Sequence, residues 1–514
     1  MIGSMSTSTR AWSLAGLVAG GAGLSASYVV ATLLAVRESP VVAVAGGVVS
    51  LTPGPVAEFL IGLVGRADKP LLLGGVVLVV LVVLAWSGRL ARRRWWAAVA
   101  VLAALAVVGG IAVLARRGTG VVDLVPVAAG LLVWVGTLSV LTEPLRRTEE
   151  ALAAGASEAP ASSRRTFLIG TGAVVGVSAV AALAGRLAGS GRRAVEQSRA
   201  LLRIPRVSEP AVPAGADLGI EGVPPWMTPV EDFYRIDTSL APPAIEPGAW
   251  RLRVHGLVDR ELDLGFDDLV ARERTESWVT LNCVSNPVGG TLVGNAWWSG
   301  VRLADLLEEA GVQDGADALL QTSEDGWTCG TPLSVVTDGR EAMLAVAMNG
   351  RPLPIEHGFP VRTIVPGLYG YVSATKWVVD IEVTRFADFT AYWTERGWGE
   401  QGPVKIASRI DVPRGGSTVP AGRVRIGGTA WAQGIGIEAV EVAVDGGAWQ
   451  AAELASVPNE DCWVQWLAAV DLSAGRHQLR VRATDADGEV QTGVLRDVLP
   501  DGATGWHTID VTAD

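Results

Sequence analysis

Hydrophobic residues divide the chain into a strongly apolar first part and a mixed second part. Apolar runs occur near residues 11–36, 41–64, 70–87, 95–115, 121–141 and 166–189. Each approaches the roughly 20 residues that a helix needs to cross a bilayer core. The second run is interrupted by Pro53, Pro55 and Glu58, and a re-entrant segment is its alternative. We predict an all-α transmembrane bundle of about six helices over residues 1–189.

The pattern changes after the last apolar run. Residues 190–228 are rich in Arg, Pro, Ala and Gly, which predicts a linker. In residues 229–400, Trp250–Val258 alternates as a strand does, and Arg302–Ala310 repeats apolar residues at helical spacing before Gly311. This mixture predicts an α+β domain without regular βαβ units.

Residues 401–514 have the pattern of an all-β domain. Strict alternation over Ile437–Val444 and Gln478–Ala483 predicts strands, with Asp445-Gly446-Gly447 as a hairpin turn. We predict a β-sandwich of about 100 residues. Asp485–Gly488 is interpreted as a turn, because a calcium loop would need a terminal Glu ligand.

Composition agrees with a protein that is partly embedded in lipid. The chain is 49% hydrophobic and its mean hydropathy is +0.34. A positive mean hydropathy is unusual for a soluble protein of 514 residues. Acidic residues outnumber basic ones by 53 to 42, which argues against nucleic acid as a partner. The three cysteines, Cys283, Cys329 and Cys462, allow at most one disulfide.

The distribution of basic residues predicts the orientation of the bundle. With an outside N-terminus, the cytoplasmic side would hold nine of them: Arg37, Arg89, Arg92, Arg93, Arg94, Arg146, Arg147, Arg164 and Arg165. The outer side would hold five: Arg10, Arg66, Lys69, Arg116 and Arg117. The positive-inside rule therefore places residues 190–514 on the extracytoplasmic side of a bacterial cytoplasmic membrane.

A second feature of the sequence points to export. Ser163-Arg164-Arg165-Thr166-Phe167-Leu168 precedes the last apolar run and resembles a twin-arginine signal. Ordinary positive flanking of a membrane helix is the alternative. Twin-arginine export carries folded proteins, and folding before export is needed when a complex cofactor must be inserted in the cytoplasm.

The sequence lacks the residues that several common kinds of functional site require. His255, His357, His477 and His507 all lie beyond residue 189, so the membrane part encodes no paired haem ligands. It is interpreted as an anchor or docking surface. The sequence also lacks a Walker loop, a Gly-x-Ser-x-Gly elbow and His-Glu-x-x-His zinc spacing.

One group of motifs does carry chemistry. Val279–Asn286 places Cys283 at the end of a predicted strand, before Gly289 and Gly290. Further motifs follow in order: Met348–Pro354, His357–Arg362, Val365–Gly370 and Lys376-Trp377. Over residues 228–510 these segments resemble the sulfite oxidase family, particularly its membrane-anchored bacterial members. The resemblance implies an oxidoreductase with a molybdenum–molybdopterin cofactor and an immunoglobulin-like C-terminal dimerisation domain.

The resemblance also implies roles for individual residues. Cys283 would be the thiolate ligand of molybdenum, a soft ligand suited to this metal. His357 and Arg362 would contact the pterin and its phosphate, and Ser373 and Lys376 would complete the phosphate site. Asp232–Arg235 resembles the entry motif in which Tyr234 and Arg235 line the cofactor; core packing is the alternative for Tyr234.

The chain departs from the sulfite oxidases on the substrate side. They usually carry Arg shortly after the ligand cysteine, where this chain has Asn286-Pro287-Val288. Trp327 aligns best with their active-site Tyr, and Cys329 follows it closely. Because a small dianion needs fixed cations, this stretch argues against a sulfite site, and the pocket is closer to that of sulfoxide-reducing members. Sulfite oxidation, sulfoxide reduction and nitrate reduction share the architecture, and the sequence does not choose among them.

Two hypotheses follow. The first is an outward-facing molybdoenzyme for a sulfite- or sulfoxide-like group, which passes electrons to a separate cytochrome or quinone-linked protein. The second is a cofactor-less module for assembly or adhesion, against which Cys283, Arg362 and Lys376 together argue.

Overall fold

The computed structural model describes residues 9–34, 36, 39–52, 56, 68–115, 119–154, 161–188 and 190–514. The chain forms two compact units. The first comprises Met1–Glu196 with Ser239–Pro243, and the second comprises Gln197–Thr238 with Ala244–Asp514.

The first unit is helical. Its helices are α1 (Thr9–Leu33), α2 (Pro40–Leu51), α3 (Asp68–Ala91), α4 (Trp95–Leu114), α5 (Val125–Ala153) and α6 (Ala161–Ala188), followed by α7 (Ser190–Leu201), which continues into the second unit. Among the described residues, four helical stretches are long and apolar enough to cross a membrane: Thr9–Leu33, Lys69–Ala91, Trp95–Leu114 and Val121–Ala153.

The second and sixth predicted spans correspond to shorter apolar stretches, Pro40–Val49 and Arg165–Val180. Pro53, Pro55 and Glu58, which interrupt the second run, lie outside the described residues. The same is true of Arg37, Arg66, Arg116 and Arg117 in the orientation argument. The four longer stretches are compatible with membrane spans at the predicted positions, although Val121–Ala153, with 33 residues, extends well beyond the predicted run.

Small residues allow the helices of this unit to approach closely. A Cβ atom at Gly16 of α1 would lie 2.2 Å from the backbone oxygen of Leu84 and 2.9 Å from the nitrogen of Gly88, both in α3. The indole of Trp134 in α5 donates a hydrogen bond of 2.9 Å to the carbonyl of Gly20. Glycine at such crossings is typical of helix packing in membranes.

The second unit contains nineteen strands within its described residues, which are, in chain order, β1 (Arg251–Gly256), β2 (Leu262–Gly265), β3 (Thr275–Asn282), β4 (Val293–Arg302), β5 (Ala318–Ser323), β6 (Thr328–Pro332), β7 (Met343–Met348), β8 (Arg351–Pro352), β9 (Arg362–Ile364), β10 (Val378–Thr384), β11 (Ala407–Val412), β12 (Thr418–Val419), β13 (Gly422–Trp431), β14 (Ile437–Val444), β15 (Gln450–Ala451), β16 (Glu453–Leu454), β17 (Val464–Leu472), β18 (Gly475–Asp485) and β19 (His507–Ala513). Its short helices are α8 (Phe266–Val270), α9 (Leu303–Ala310), α10 (Leu333–Val336) and α11 (Gly370–Ser373).

Two sheets build the α+β part. One has the order β2-β1-β10-β5-β6, and the other has β3-β4-β7-β8 with β9 paired to β7. The predicted helix before Gly311 is confirmed as α9, and Gly311 ends it with a φ of 70°, a left-handed conformation that favours glycine. Leu306 and Leu307 of α9 join the core shared by both sheets.

Two further sheets, β11-β13-β17-β16 and β12-β19-β18-β14-β15, form the C-terminal domain. Val442, Trp466 and Val481 lie in the single core between them. The predicted turn lies between β14 and β15: Asp445 and Gly446 both have positive φ, and the Gly447 nitrogen donates to the Val444 carbonyl at 2.8 Å. Asp485–Gly488 is also a turn, closed by a bond from the Gly488 nitrogen to the Asp485 carbonyl.

Residues 190–228, predicted as a linker, contain more structure than their composition indicates. The segment begins with α7 and ends at Trp226, which is fully buried. The indole nitrogens of Trp226 and Trp463 each donate to the other residue's carbonyl, at 3.1 and 2.9 Å. Composition alone could not reveal these bonds, because the partner lies 237 positions away.

Candidate active site

Cys283 is the first residue of the loop that joins β3 to β4. Its backbone nitrogen donates to the carbonyl of Leu292 at the other end of the loop, at 3.0 Å. Its Sγ lies 2.9 Å from the hydroxyl of Ser285. Burial raises the pKa of the Cys283 thiol, whereas the Ser285 hydrogen bonds and the charge of Lys376 lower it. The thiol of Cys283 is thus half-buried beside groups that favour its thiolate form.

The loop itself is tightly built. The Asn286 nitrogen donates to the Cys283 carbonyl at 3.1 Å, and the Asn286 side-chain oxygen accepts from the Leu292 nitrogen at 2.9 Å. The Gly290 nitrogen closes a turn onto the Pro287 carbonyl at 2.8 Å. These bonds give Cys283 a defined position on the rim of the sheet.

Arg362 lies at the start of β9 and is only 4% exposed. Its guanidinium donates to the carbonyls of His357 and Ala374, at 3.2 and 3.3 Å, and lies 5.2 Å from the ring centre of Trp298. Burial lowers the pKa of Arg362 to about 10. The side chain therefore stays charged, and backbone carbonyls rather than a carboxylate hold it in place.

His357 is buried next to Arg362. Burial, Lys376 and Arg362 lower the pKa of His357 to about 3, although a backbone hydrogen bond at Val230 opposes this shift. The imidazole is therefore neutral near pH 7. Its Nδ1 atom has no hydrogen-bond partner within the described part of the chain. Buried polar atoms are normally satisfied, so this nitrogen is available to a group bound at the site.

Lys376 is the second buried cation of the site, after Arg362. Its Nζ lies 3.1 Å from Oδ2 of Asp237, and Nε of Arg235 lies 3.1 Å from the same oxygen. Burial lowers the pKa of Lys376 to about 8, and the Asp237 carboxylate limits that fall. One carboxylate thus faces two cations, which leaves a local excess of positive charge.

Tyr234 connects this cluster to the cysteine. Burial and the neighbouring Cys283 raise the pKa of the Tyr234 phenol, and Arg362 lowers it. The ring stacks on Phe233, with centroids 5.3 Å apart. Phe233 in turn meets His357 edge to face at 5.7 Å. The motif at residues 232–235 is therefore brought to the same place as the motifs at residues 357–376.

Two of the predicted site residues are engaged elsewhere. Ser373 is fully buried at the end of α11, and its hydroxyl lies 3.2 and 3.0 Å from the carbonyls of Leu368 and Tyr369. The backbone of Trp327 bonds to Ser323 and Asp325 within its own turn. These contacts do not join Ser373 or Trp327 to Cys283, and their predicted roles remain predictions.

Cys329 and Cys462 are both buried free thiols. Cys329 lies 3.6 Å from the Thr331 hydroxyl and interacts with Thr375, next to Lys376. Burial raises its pKa to about 11, so this thiol is protonated. Cys462 contacts Asn459 and the Trp278 carbonyl instead.

Several residues around the site lie outside the motifs that predicted it. Asp237 lies two positions after Arg235. Its closeness to the entry motif is the one feature of the sequence that could have marked this carboxylate as part of the site. Gln433, Arg409 and His507 come from the C-terminal domain and had no such local signal. Gln433 donates to the Thr280 carbonyl and to the side-chain oxygen of Asn282, immediately before Cys283.

The residues brought together fit the cofactor that the motifs imply. Cys283 offers a soft donor for a metal such as molybdenum. The Arg362 and Lys376 cations suit a phosphate, and the unpaired Nδ1 of His357 suits a polar heterocycle. No group of three or more His, Cys, Asp or Glu side chains that could hold a metal ion occurs in the described ranges.

Comparisons with known proteins match two parts of the second unit to known domain families. Residues 239–393 match the oxidoreductase molybdopterin-binding domain, and residues 403–514 match the Mo-co oxidoreductase dimerisation domain. The uncharacterized oxidoreductase YuiH of Bacillus subtilis is 36% identical over 180 residues, which cover 35% of this chain and 87% of YuiH.

More distant relatives have named activities. The mitochondrial sulfite oxidase of Homo sapiens is 29% identical over 369 residues, which cover 59% of this chain and 66% of the human protein, just under two thirds of its length. The sulfane dehydrogenase SoxCD from Paracoccus pantotrophus is a structural neighbour with a TM-score of 0.50 and 25% identity; the match covers 56% of this chain and 81% of that one.

Fold, site and relatives together define a molybdopterin-dependent oxidoreductase. The chain belongs to the sulfite oxidase family, which confirms the resemblance predicted from its motifs.

Proposed function

We propose that this protein is a membrane-anchored molybdoenzyme that transfers an oxygen atom to or from a sulfur-centred group, while two electrons move in the opposite direction. The observation that carries the proposal is the convergence of Cys283 with Tyr234, His357, Arg362 and Lys376. A thiol at a loop entrance beside buried cations and an unpaired imidazole nitrogen suits a metal cofactor that ends in a phosphate.

The proposed residue roles follow from the contacts. Cys283 would bind molybdenum as a thiolate, and the bound cofactor would supply the two-electron centre. Arg362 and Lys376 would neutralise the phosphate, and the neutral His357 would donate or accept one hydrogen bond at Nδ1. Tyr234 and Arg235 would line the pterin. Ser373 would act mainly through the turn that it stabilises, because its hydroxyl already lies near two carbonyls.

For the substrate, the loop after Cys283 favours a neutral sulfoxide over the sulfite dianion. Pro287 and Val288 occupy the stretch that would otherwise provide a cation. Arg409 reaches this loop, but its guanidinium is paired with Asp411 at 2.7 Å. Sulfoxide reduction consumes two electrons and two protons and yields a thioether and water. Sulfite oxidation consumes water and yields sulfate, two protons and two electrons.

The setting of this chemistry is also part of the proposal. The four long apolar stretches support a membrane anchor, and the charge distribution supports an extracytoplasmic catalytic domain reached by twin-arginine export. We propose an immunoglobulin-like C-terminal domain that forms a homodimer, as the name of its matching family suggests. Electrons would pass to or from a separate cytochrome or quinone-linked protein.

The molybdenum content of the detergent-extracted full chain tests the cofactor. The chain should be expressed in a host that makes molybdopterin and exports folded proteins. We expect about one molybdenum per chain by elemental mass spectrometry. A chain without molybdenum from such a host would favour the cofactor-less assembly or adhesion module.

A cysteine variant tests the ligand. We expect Cys283→Ser to lower turnover of dimethyl sulfoxide by about 100-fold or more, because an alcohol replaces the soft thiolate ligand. Cys462→Ser is the matched control, since Cys462 contacts Asn459 and Trp278 and should leave turnover unchanged. Unchanged activity in Cys283→Ser would contradict the assignment.

A further inference from the structure

The C-terminal domain reaches into the loop that carries Cys283. Within the loop, Gly289 and Gly290 lie six and seven positions after the cysteine. Both glycines contact residues of the C-terminal domain, one through its backbone oxygen and one through its α-carbon. The loop is therefore held by bonds from outside the domain that contains it.

The first contact is made by Arg409 of β11. Nη1 of Arg409 donates to the Gly290 carbonyl at 2.7 Å, while Nε donates to Oδ1 of Asp411 at 2.7 Å. The Asp411 carboxylate also accepts from the hydroxyl of Thr429, at 3.3 Å. Arg409 is 3% exposed, so the bond to Gly290 is shielded from water. A charge-assisted bond in such a place constrains the loop strongly.

The second contact is made by His507 of β19. A Cβ atom at Gly289 would lie 2.3 Å from both Cδ2 and Nε2 of the imidazole, so the ring lies against the Gly289 α-carbon. Gly289 has a φ of 75°, which also favours glycine. Nδ1 of His507 accepts a hydrogen bond from the Ile410 nitrogen at 3.0 Å, which fixes the plane of the ring.

The base of the loop is held by the same domain. The Thr280 nitrogen donates to the Asp461 carbonyl at 2.9 Å, and the Trp463 nitrogen donates to the Thr280 hydroxyl at 2.8 Å. The side-chain nitrogen of Gln433 donates to the side-chain oxygen of Asn282, the last residue of β3. These bonds hold the end of β3, and therefore the start of the loop, against the C-terminal domain. The loop thus has a defined position relative to Arg409 and His507.

We propose that Arg409 and His507 are positioning residues, through which the C-terminal domain sets the shape of the substrate-facing loop after Cys283. The inference rests on the proposed function, since the loop is substrate-facing only if Cys283 binds the metal. The hydrogen bond from Arg409 determines the position of the Gly290 carbonyl. The ring of His507 keeps the tip of the loop, at Gly289, at a distance from β11 and β19. Substrate access to the metal therefore depends on a domain that provides none of the predicted cofactor ligands.

Hydrogen exchange of the full chain in detergent tests the contact without any need for cofactor or activity. In His507→Ala we expect the amides of residues 283–292 to exchange about 10-fold faster, because the loop opens locally. His507→Asn separates two roles. Its side-chain oxygen can replace Nδ1 as the acceptor for Ile410, but it lacks the ring atoms against Gly289.

We therefore expect His507→Asn to leave the loop as exposed as His507→Ala does, while residues 407–412 keep their protection. Arg409→Lys keeps a cation for Asp411 but cannot bond Asp411 and the Gly290 carbonyl at the same time as the guanidinium does. We therefore expect faster exchange in the loop of this variant as well. His477→Asn is the matched control, because His477 contacts Asp445 and Ser473 instead. Full protection of the loop in His507→Asn would overturn the proposal.

Kinetics then test the consequence for the substrate. With dimethyl sulfoxide and reduced methyl viologen, we expect His507→Asn to raise KM about 10-fold at unchanged molybdenum per chain, with kcat affected less. An unchanged KM would overturn the role in substrate access. A wild-type chain without molybdenum would overturn the proposed function, and the exchange experiment would still decide whether the C-terminal domain holds the loop.

Discussion

Oδ2 of Asp237 lies 3.1 Å from Nζ of Lys376, although the two residues are 139 positions apart. Both side chains are nearly inaccessible to solvent, at 6% and 10% exposure. The carboxylate keeps Lys376 charged where burial alone would favour the neutral amine. This pair thus maintains the cation that the proposed phosphate contact requires.

The retention of the cofactor should depend on this ionisation. The pKa of Lys376, lowered to about 8, lies far enough below its ordinary value that the charge is lost in mildly alkaline solution. We expect molybdenum content after dialysis to fall as the pH rises through about 8. Asp237→Asn should move that fall to lower pH, by about one unit, because the carboxylate no longer stabilises the cation.

Lys405→Met provides the control, since Lys405 is paired with Asp501 and lies outside the cluster. The explanation is wrong if Asp237→Asn and Lys405→Met retain molybdenum with the same pH dependence.

The close approach of α1 and α3 should leave no room for a side chain at Gly88. A Cβ atom at Gly88 would lie 2.2 Å from the backbone oxygen of Trp12 and 2.8 Å from the nitrogen of Gly16. We expect Gly88→Ala to destabilise the helical unit by about 1–3 kcal/mol, measured as a lower thermal midpoint in detergent. Gly75→Ala in the same helix is the control, because nothing lies within 4 Å of its Cβ position. Equal midpoints for the two variants would contradict the close approach.

The C-terminal domain should lose stability in acid through His507. Burial and Arg409 lower its pKa to about 4, from an ordinary value of 6.5. Between pH 6.5 and 4 the unfolded chain binds more protons than the folded chain, so stability is complete above 6.5 and falls as the pH drops. The loss at pH 4 should be on the order of 2–3 kcal/mol.

Thermal unfolding of the full chain between pH 4 and 7 measures this effect. His507→Asn should flatten the dependence, although His357, with a pKa of about 3, still contributes a loss in the same direction. An unaltered slope in His507→Asn would show that other groups cause the acid instability.

Export should depend on the two arginines at the start of α6. A twin-arginine signal does not tolerate replacement of both arginines by lysine, whereas simple positive flanking does. We expect Arg164→Lys with Arg165→Lys to leave the catalytic domain on the cytoplasmic side, protected from protease added to spheroplasts. Arg146→Lys with Arg147→Lys is the matched control, because these arginines keep the same charge but lie outside the motif. Continued digestion of the domain in the first variant would refute the signal.

The sequence by itself determined the order of the parts and the chemistry of the site. Apolar runs of about 20 residues, strict alternation and a Gly after a helical repeat are local signals, and α1, β14 and α9 appear where these signals predicted them. Cys283, His357, Arg362 and Lys376 were found because each lies in a short motif. The composition of residues 190–228, in contrast, concealed the buried Trp226.

Only the tertiary structure decided which side chains support that site. Asp237 meets Lys376, Arg409 meets Gly290 and His507 meets Gly289 through contacts between segments that lie far apart in sequence. No local pattern encodes such contacts, because hydrophobic periodicity specifies which face of an element is buried and not which partner buries it. The position of the loop after Cys283 therefore depends on how the two domains of the second unit pack, and it could not be derived from the motif that contains the cysteine.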